Sequence, residues 1–366
     1  MQYNLKSVVE NFKIDGTYIS HEPYGAGHIN DTFAVTFIDN KSNGNFRMIV
    51  QRINHNIFKD VPGLMANISG VTDFLRDKIK ARSGNADRET LTVIRANDNK
   101  PYFIDGDGNY WRVYIFVEDT LTLQMAESDE DFYNCGASFG KFIGDLADYP
   151  AANLHETIPN FHHTAKRFET FKAVAAADKL GRAKNVKAEI DFALAREADA
   201  SFLTDKIDNG ELPLRVTHND TKLNNILMDP TTRKGVCVID LDTVMPGLAL
   251  YDFGDSIRFG ASTAAEDETD LSKVNFDLNL YEVYAKGFLG ESKSQLTPLE
   301  IELMPWGAKL MTFECGIRFL TDYLEGDTYF KIHREHHNLD RCRTQFKLVA
   351  EMEKVWDKMA AIIEKI

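Results

Sequence analysis

The sequence predicts an α/β fold of two unequal lobes: a small antiparallel sheet carrying one helix over residues 1–118, then a larger, mainly helical lobe over 119–366. Three observations predict it. Apolar residues alternate with polar ones in the first third of the chain, and from about residue 120 they recur at helical spacing instead. The 366 residues are enough for about two domains or one enzyme of two lobes. No internal repeat or low-complexity tract places the boundary elsewhere.

The elements follow in order. Asn30 to Phe37 alternates, with Phe33, Val35 and Phe37 on one face. After a polar turn ending in Asn43-Gly44, Phe46 to Arg52 completes a hairpin. Leu64, Ile68, Val71, Leu75 and Ile79 are spaced four, three, four and four apart, so a helix over 62–83 presents one apolar stripe. Leu91 to Arg95 and Tyr110 to Val117 are rich in strand formers. Asp105-Gly106-Asp107-Gly108-Asn109 is read as a hairpin turn, because it lacks the spacing and terminal Glu of a calcium loop.

Beyond residue 120, Phe132, Cys135, Phe139, Phe142 and Leu146 mark a helix behind an Asp129 cap. Further helices are expected over 164–180, 186–206, 277–289, 298–324 and 339–365, with Thr297-Pro298-Leu299-Glu300 as a capping box. Two short strands, Ile226 to Met228 and Val236 to Ile239, flank an Asp229-Pro230 turn.

A formal charge of -14 disfavours a phosphate backbone, so nucleic acid is not an expected partner. No run of 18 apolar residues exists and the first residues lack a signal-peptide core; no membrane partner and a cytoplasmic location are the expectations. The four cysteines, at 135, 237, 315 and 342, include no close pair and fit reduced thiols. His333, His336 and His337 have the spacing of one helical face that could hold a metal, but no carboxylate or cysteine pattern supports a site, and surface or supporting histidines are the preferred reading.

The chemistry concentrates in Thr217-His218-Asn219-Asp220-Thr221-Lys222-Leu223-Asn224-Asn225 and the hairpin that ends in Ile239-Asp240-Leu241-Asp242. His218, Asp220 and Asn225 satisfy the catalytic-loop spacing H-x-D-x-x-x-x-N. Phosphoryl transfer from a magnesium nucleotide needs a carboxylate to accept the proton of the attacking hydroxyl, and an amide oxygen with a second carboxylate to hold Mg2+. Asp220 is the candidate base, Asn225 and Asp240 the candidate metal ligands, and Lys222 a cation for the moving phosphoryl group. Asn and Asp also populate ordinary turns, but three coincident offsets followed by a hairpin and an acid outweigh that explanation. Asp252-Phe253-Gly254 spells another magnesium motif, yet it follows a Met-Pro-Gly turn, so Asp252 and Asp255 are read as structural helix-start carboxylates.

The chain resembles the aminoglycoside phosphotransferase and choline kinase family, on Tyr24 to Asn30 (YGAGHIN), Val216 to Met228, Ile239 to Thr243, Asp252 to Thr263 and Cys315 to Tyr329. Within it, those strings are similar to the N-acetylhexosamine 1-kinase branch, over almost the whole chain. The resemblance implies a protein-kinase-like fold with ATP and Mg2+ in the cleft between the lobes. It implies transfer of the γ-phosphate to the anomeric hydroxyl of N-acetylglucosamine or N-acetylgalactosamine, with Asp220 as base. His28, Asp220, Asp242, Phe259, Arg318 and Tyr329 fall on segments that contribute to the sugar pocket. Core packing is an equal explanation for Phe259, and Arg318 has Glu314 and Asp322 four residues away as possible ion-pair partners.

For the nucleotide, Gly25 and Gly27 bound a turn suited to phosphates, and Phe116, Val117 and Glu118 should present backbone to adenine. One departure stands out. The strand position that carries a phosphate-gripping Lys in related kinases reads Gln51, and the following helix has no Glu. Gln51 or Arg52 is the candidate replacement. The alternatives are the same family with another acceptor (choline, homoserine, a methylthio-sugar, an aminoglycoside) and a non-catalytic nucleotide-binding module. Arg318 in the pocket disfavours a cationic acceptor. A monomer or weak homo-oligomer is expected.

Overall fold

The computed structural model describes residues 3–25 and 29–366. Its first lobe is an antiparallel sheet of β1 (Gly16–Pro23), β2 (Asp31–Asp39), β3 (Asn45–Ile53), β4 (Val93–Ile94), β5 (Phe103–Ile104) and β6 (Tyr110–Ile115). The order is β1-β2-β3-β6-β4, with β5 also paired to β6. Successive strand residues point to opposite faces, and each face has its own cover. Outward, Val35, Phe37, Val50, Trp111 and Val113 pack with Leu5, Val8 and Val9 of a short helix α1 (Leu5–Val9). Inward, Ile49, Ile53 and Tyr114 pack on α2 (Val61–Ala81).

The predicted stripe of α2 is buried at all five positions, and Asp60 caps its start by accepting from Gly63 N. Each such side chain gains about 1.5–3 kcal/mol on leaving water. The same cluster includes Leu241, Val244, Val216 and Phe142 of the second lobe, so α2 joins the lobes as well as backing the sheet. Asp105 closes the β5–β6 turn as expected: its carboxylate accepts from Asp107 N, Asn109 N and Trp111 Nε1.

After α3 (Ala86–Glu89), the second lobe is built from α4 (Asp129–Asp145), α5 (Thr164–Ala177), α6 (Lys187–Leu194), α7 (Glu197–Ala200), α8 (Phe202–Asp208), α9 (Ala249–Gly260), α10 (Leu278–Ser292), α11 (Pro298–Glu302), α12 (Met304–Glu325), α13 (His337–Lys354) and α14 (Trp356–Lys365). Small antiparallel pairs interrupt it: β7 (Arg215–Thr217) with β10 (Met245–Gly247), and β8 (Ile226–Met228) with β9 (Gly235–Val238). The helices α4 and α10 lie unusually close. A Cβ on Gly140 would fall 2.2 Å from the Phe288 carbonyl oxygen, and one on Gly287 2.2 Å from that of Tyr133.

Several predicted elements are corrected. Ser128, not Asp129, caps α4, accepting from Asp131 N. The stretch 186–206 is three short helices, because only Ala193, Ala200, Leu203 and Thr204 among their residues are buried, too few for a continuous stripe. The Thr297 capping box forms, but the helix it opens ends at Glu302. Pro305, which lacks an N–H and crowds the preceding turn, sits near the start of a new helix. The last predicted helix breaks at Val355, where Trp356 turns onto Trp306 at 5.3 Å between rings. The β7–β10 pair, three residues on each side, has no periodic signal of its own.

Among the described residues, no helix is long and apolar enough to cross a membrane, and no group of three or more His, Cys, Asp or Glu is arranged to hold a metal. His337 instead bonds Asp267 at 3.1 Å, and all four cysteines are free.

Candidate active site

The catalytic loop is an irregular segment between β7 and β8, and irregular backbone in a protein interior needs a partner for every N–H and C=O. Residues 218–221 have all of them, and nearly all come from side chains. The Asp252 carboxylate, at the start of α9, accepts from His218 N at 2.8 Å and Asn219 N at 2.7 Å. His218 Nδ1 accepts from Asp220 N, and Asp255 accepts from Thr221 N at 3.1 Å. The carbonyls of His218, Asn219, Asp220 and Thr221 accept from Thr243, His162, Asn225 and Ser256 respectively.

Asp252 is buried, and burial pushes its carboxyl up to about 6 against the opposing pull of His218 and the two N–H groups. Asp255 is held below the usual range: Arg258, then Lys222, outweigh its burial. Both acids therefore support the loop from α9, as the helix-start reading expects.

Two histidines serve the loop. His218 Nε2 donates to the Ile239 carbonyl at 2.9 Å while Nδ1 accepts from Asp220 N, which ties the loop to the strand end before Asp240. His162 faces acceptors at both nitrogens: Glu314 at 2.9 Å and the Asn219 carbonyl at 3.2 Å. Glu314, buried on α12 and also bonded by Thr164 at 2.8 Å, stays below the ordinary carboxylate range because His162 overcomes its burial.

On this platform Asp220 lies between Lys222 Nζ, 2.6 Å from Oδ1, and Asn225 Nδ2, 3.1 Å from Oδ2. Lys222 is raised above its usual value: burial opposes its charge, but Asp220 and Asp255 more than offset it. Asn225 spends its NH2 on Asp220, leaving its oxygen as an acceptor. Asp240, just past the end of β9, takes a left-handed conformation, φ 59°. Burial, then repulsion by Asp242 and Asp220, pushes it up to about 7. More than a third of the Asp240 residue surface is nonetheless open to solvent. Crowded carboxylates beside a free amide oxygen suit a divalent cation, and two protein ligands match the habit of Mg2+ of keeping waters and phosphates.

The first lobe closes the cleft from above. Gly25, with φ +80°, turns the chain after β1; Gly27 and His28 lie outside the described residues. Gln51 faces inward, donating to Thr32 at 2.9 Å and accepting from Arg112 Nε at 2.9 Å. Arg52 is corrected as a phosphate contact. As the next strand residue it points outward, where Asp31 holds it at 2.6 Å beside the Tyr3 ring. At the hinge, Glu118 pairs with Arg47, which lies 3.7 Å over the Phe116 ring, and the Val117 and Glu118 carbonyls are taken by Thr120 and Arg88.

The expected acceptor residues divide. Asp242 is buried, paired with Arg112 and bonded by Asn30 Nδ2 at 2.6 Å. Phe259 is half-buried on α9, one turn beyond Asp255. Arg318 makes neither intrahelical ion pair: Glu314 is committed to His162, and Asp322 to the backbone of 328–330 and to Asn338. It rests instead near the rings of Phe161 (5.8 Å) and Phe330 (5.5 Å), and Tyr329, largely exposed, packs on Phe330. Sequence reasoning missed Arg112, His162 and Glu314. Arg112 had a visible signal, an arginine inside the apolar strand run Tyr110 to Val117.

Comparison with known proteins agrees with this architecture. Among solved structures, an aminoglycoside phosphotransferase from Alicyclobacillus acidocaldarius subsp. acidocaldarius superposes with a TM-score of 0.64 at 12% identity, covering 100% of this chain and 98% of that one. Choline kinase from Cryptosporidium parvum gives 0.55 at 13%, covering 99% and 98%. The GDP and kanamycin complex of APH(2")-IIia gives 0.56 at 11%, covering 96% and 99%. At such identities the likeness shows the fold: an antiparallel-sheet lobe over a helical lobe, similar to these kinases. The model of the phosphotransferase enzyme family matches residues 21–286, and this chain belongs to that family.

Proposed function

We propose that the protein transfers the γ-phosphate of ATP to the anomeric hydroxyl of N-acetylglucosamine or N-acetylgalactosamine. The observation that carries the transfer is the Asp220 carboxylate, held by Lys222 and Asn225 on a loop whose backbone is fully bonded. The sugar rests on the similarity of the segments bearing Asp242, Phe259, Arg318 and Tyr329 to the N-acetylhexosamine 1-kinase branch.

Asp220 orients the acceptor hydroxyl and takes its proton as the new O–P bond forms and the bond to the leaving ADP oxygen breaks. Lys222 balances charge on the moving phosphoryl group. Asn225 and Asp240 would hold Mg2+, which supplies charge neutralisation across the phosphates. Gly25, Gly27 and the hinge residues Phe116, Val117 and Glu118 would cover the nucleotide. Arg318, free of an ion pair among the described residues, would donate to acceptor oxygens, with the nearby aromatic rings packing on the sugar face.

The test is turnover of Mg-ATP with N-acetylglucosamine, N-acetylgalactosamine, choline and kanamycin, with the phosphate position read by phosphorus NMR. Phosphate on the anomeric carbon is the expected product. Turnover of choline or kanamycin alone would overturn the acceptor assignment, and nucleotide binding without any transfer would favour a non-catalytic module.

A further inference from the structure

We propose that Arg112 is the phosphate-facing cation of this chain and that Asp242 is the carboxylate that orients it. The pair would stand in for the strand lysine and helix glutamate that the sequence lacks. The inference rests on the nucleotide reading above but not on the identity of the acceptor.

The sheet register places the pair. Gln51, at the lysine position, is the cross-strand partner of Arg112 on β6, so both side chains leave the sheet on the face toward α2 and the cleft. Directly opposed residues have Cβ atoms about 5 Å apart. A cation on β6 therefore reaches the space that a lysine on β3 would occupy. The α2 helix, which carries the glutamate in related kinases, has none here and offers Arg112 only the Met65 sulfur at 4.0 Å. The acid comes from the other lobe: Asp242 binds Arg112 Nη1, two residues beyond Asp240.

The bonds of the guanidinium identify its free edge. Nε is given to Gln51 and Nη1 to Asp242, while Nη2 has no partner among the described residues. Arg112 is almost wholly buried, and Asp242 holds it charged against that burial. A buried ion pair is weak support for stability, because apolar side chains of similar volume often do as well. With Nε and Nη1 committed, Nη2 is the edge left to donate to a phosphate oxygen, which gives the retained charge a purpose.

Asp242 also takes Asn30, the residue leading into β2 just after the glycine turn. One carboxylate thus gathers the start of β2, the cation of β6 and the segment after Asp240. Nucleotide affinity and the placement of Asp240 would be coupled through it.

The experiment is titration of the full-length protein with Mg-ADP, without acceptor, by isothermal calorimetry. The variants are Arg112→Met, Arg112→Lys, Asp242→Asn and Gln51→Met, with thermal unfolding as a fold control. Arg112→Met and Asp242→Asn should weaken ADP binding about tenfold or more, the loss of one charge-assisted contact. Arg112→Lys, which keeps the charge, should recover part of that affinity. If Arg112→Met does not fold, Gln51→Met, which removes only the bond to Nε, should still weaken ADP about threefold, a fraction of the same contact. Unchanged ADP affinity in the folded variants would overturn the proposal, as would an Asp242→Asn effect confined to acceptor KM. Absence of ADP binding to the unmodified protein would instead sink the nucleotide reading beneath it.

Discussion

The floor and the roof of the cleft are held in different ways. On the floor, residues 218–221 have every backbone N–H and C=O bonded, most of them by buried side chains of α9 and its neighbours. On the roof, inward side chains do the joining: Thr32 to Gln51, Gln51 to Arg112, and Arg112 and Asn30 to Asp242. The difference suits the two tasks. A proton acceptor must be positioned before reaction, since displacement by an ångström is costly in rate. A nucleotide cover must admit and release its ligand, and side-chain links can be remade.

That contrast can be broken at its strongest point first. Asp220→Asn should lower kcat about 10³-fold, within the range for a general base, while ADP affinity stays near that of the unmodified protein. Near-normal turnover would remove the floor from the chemistry altogether. Next, His162→Phe removes the partner of the Asn219 carbonyl and of Glu314 Oε1, while Thr164 still bonds Glu314 Oε2. We expect kcat to fall about tenfold, one lost charge-assisted bond, with KM for ATP little changed. If KM for ATP rises instead, floor and roof are not separable. Gly140→Ala, at the α4–α10 crossing outside the cleft, should lower stability by about 1–3 kcal/mol through overpacking, with KM for both substrates unchanged.

The pH dependence sharpens the picture of the floor. With a carboxyl near 6, above its unfolded value, Asp252 binds a proton on folding between about pH 4 and 6. Its contribution to stability is therefore full below the unfolded value and is lost as pH rises through 6. The loop needs the opposite state, since two N–H groups require two acceptor oxygens. Lowering the pH from 7 to 5.5 should reduce kcat while this group's share of stability increases. Parallel profiles of kcat and melting temperature, compared with Asp252→Ala, would expose a common rather than an opposed trend. The smallest effect is expected for Arg52→Met: the residue faces outward to Asp31, so stability should change by less than about 1 kcal/mol and ADP affinity by under about twofold. A large loss of ADP affinity would show that the face assignment of β3 is wrong.

Much of this architecture was legible in the residues themselves. The α2 stripe, the β2–β3 hairpin and the catalytic-loop offsets are periodic or local patterns, and physics at short range is enough to interpret them. Element ends were less legible: the breaks at Leu303 and Val355 depend on Pro305 and on where Trp356 finds a partner. At the site, the local string named Asp220, Lys222 and Asn225, which the structure brings within 3.1 Å of one another's polar atoms.

The sequence by itself determined the two-lobed division and the residue offsets of the candidate loop, because both are written in residues close together along the chain. Only the tertiary structure decided that Arg52 turns away while Arg112 turns in, since the face of a strand follows from register with its neighbours. It also decided that Arg318 makes no ion pair among the described residues, that His162 meets Glu314 152 residues away, and that Asp242 joins the lobes through an arginine 130 residues earlier. Pairings of that separation leave no periodic trace, because they depend on where whole elements pack.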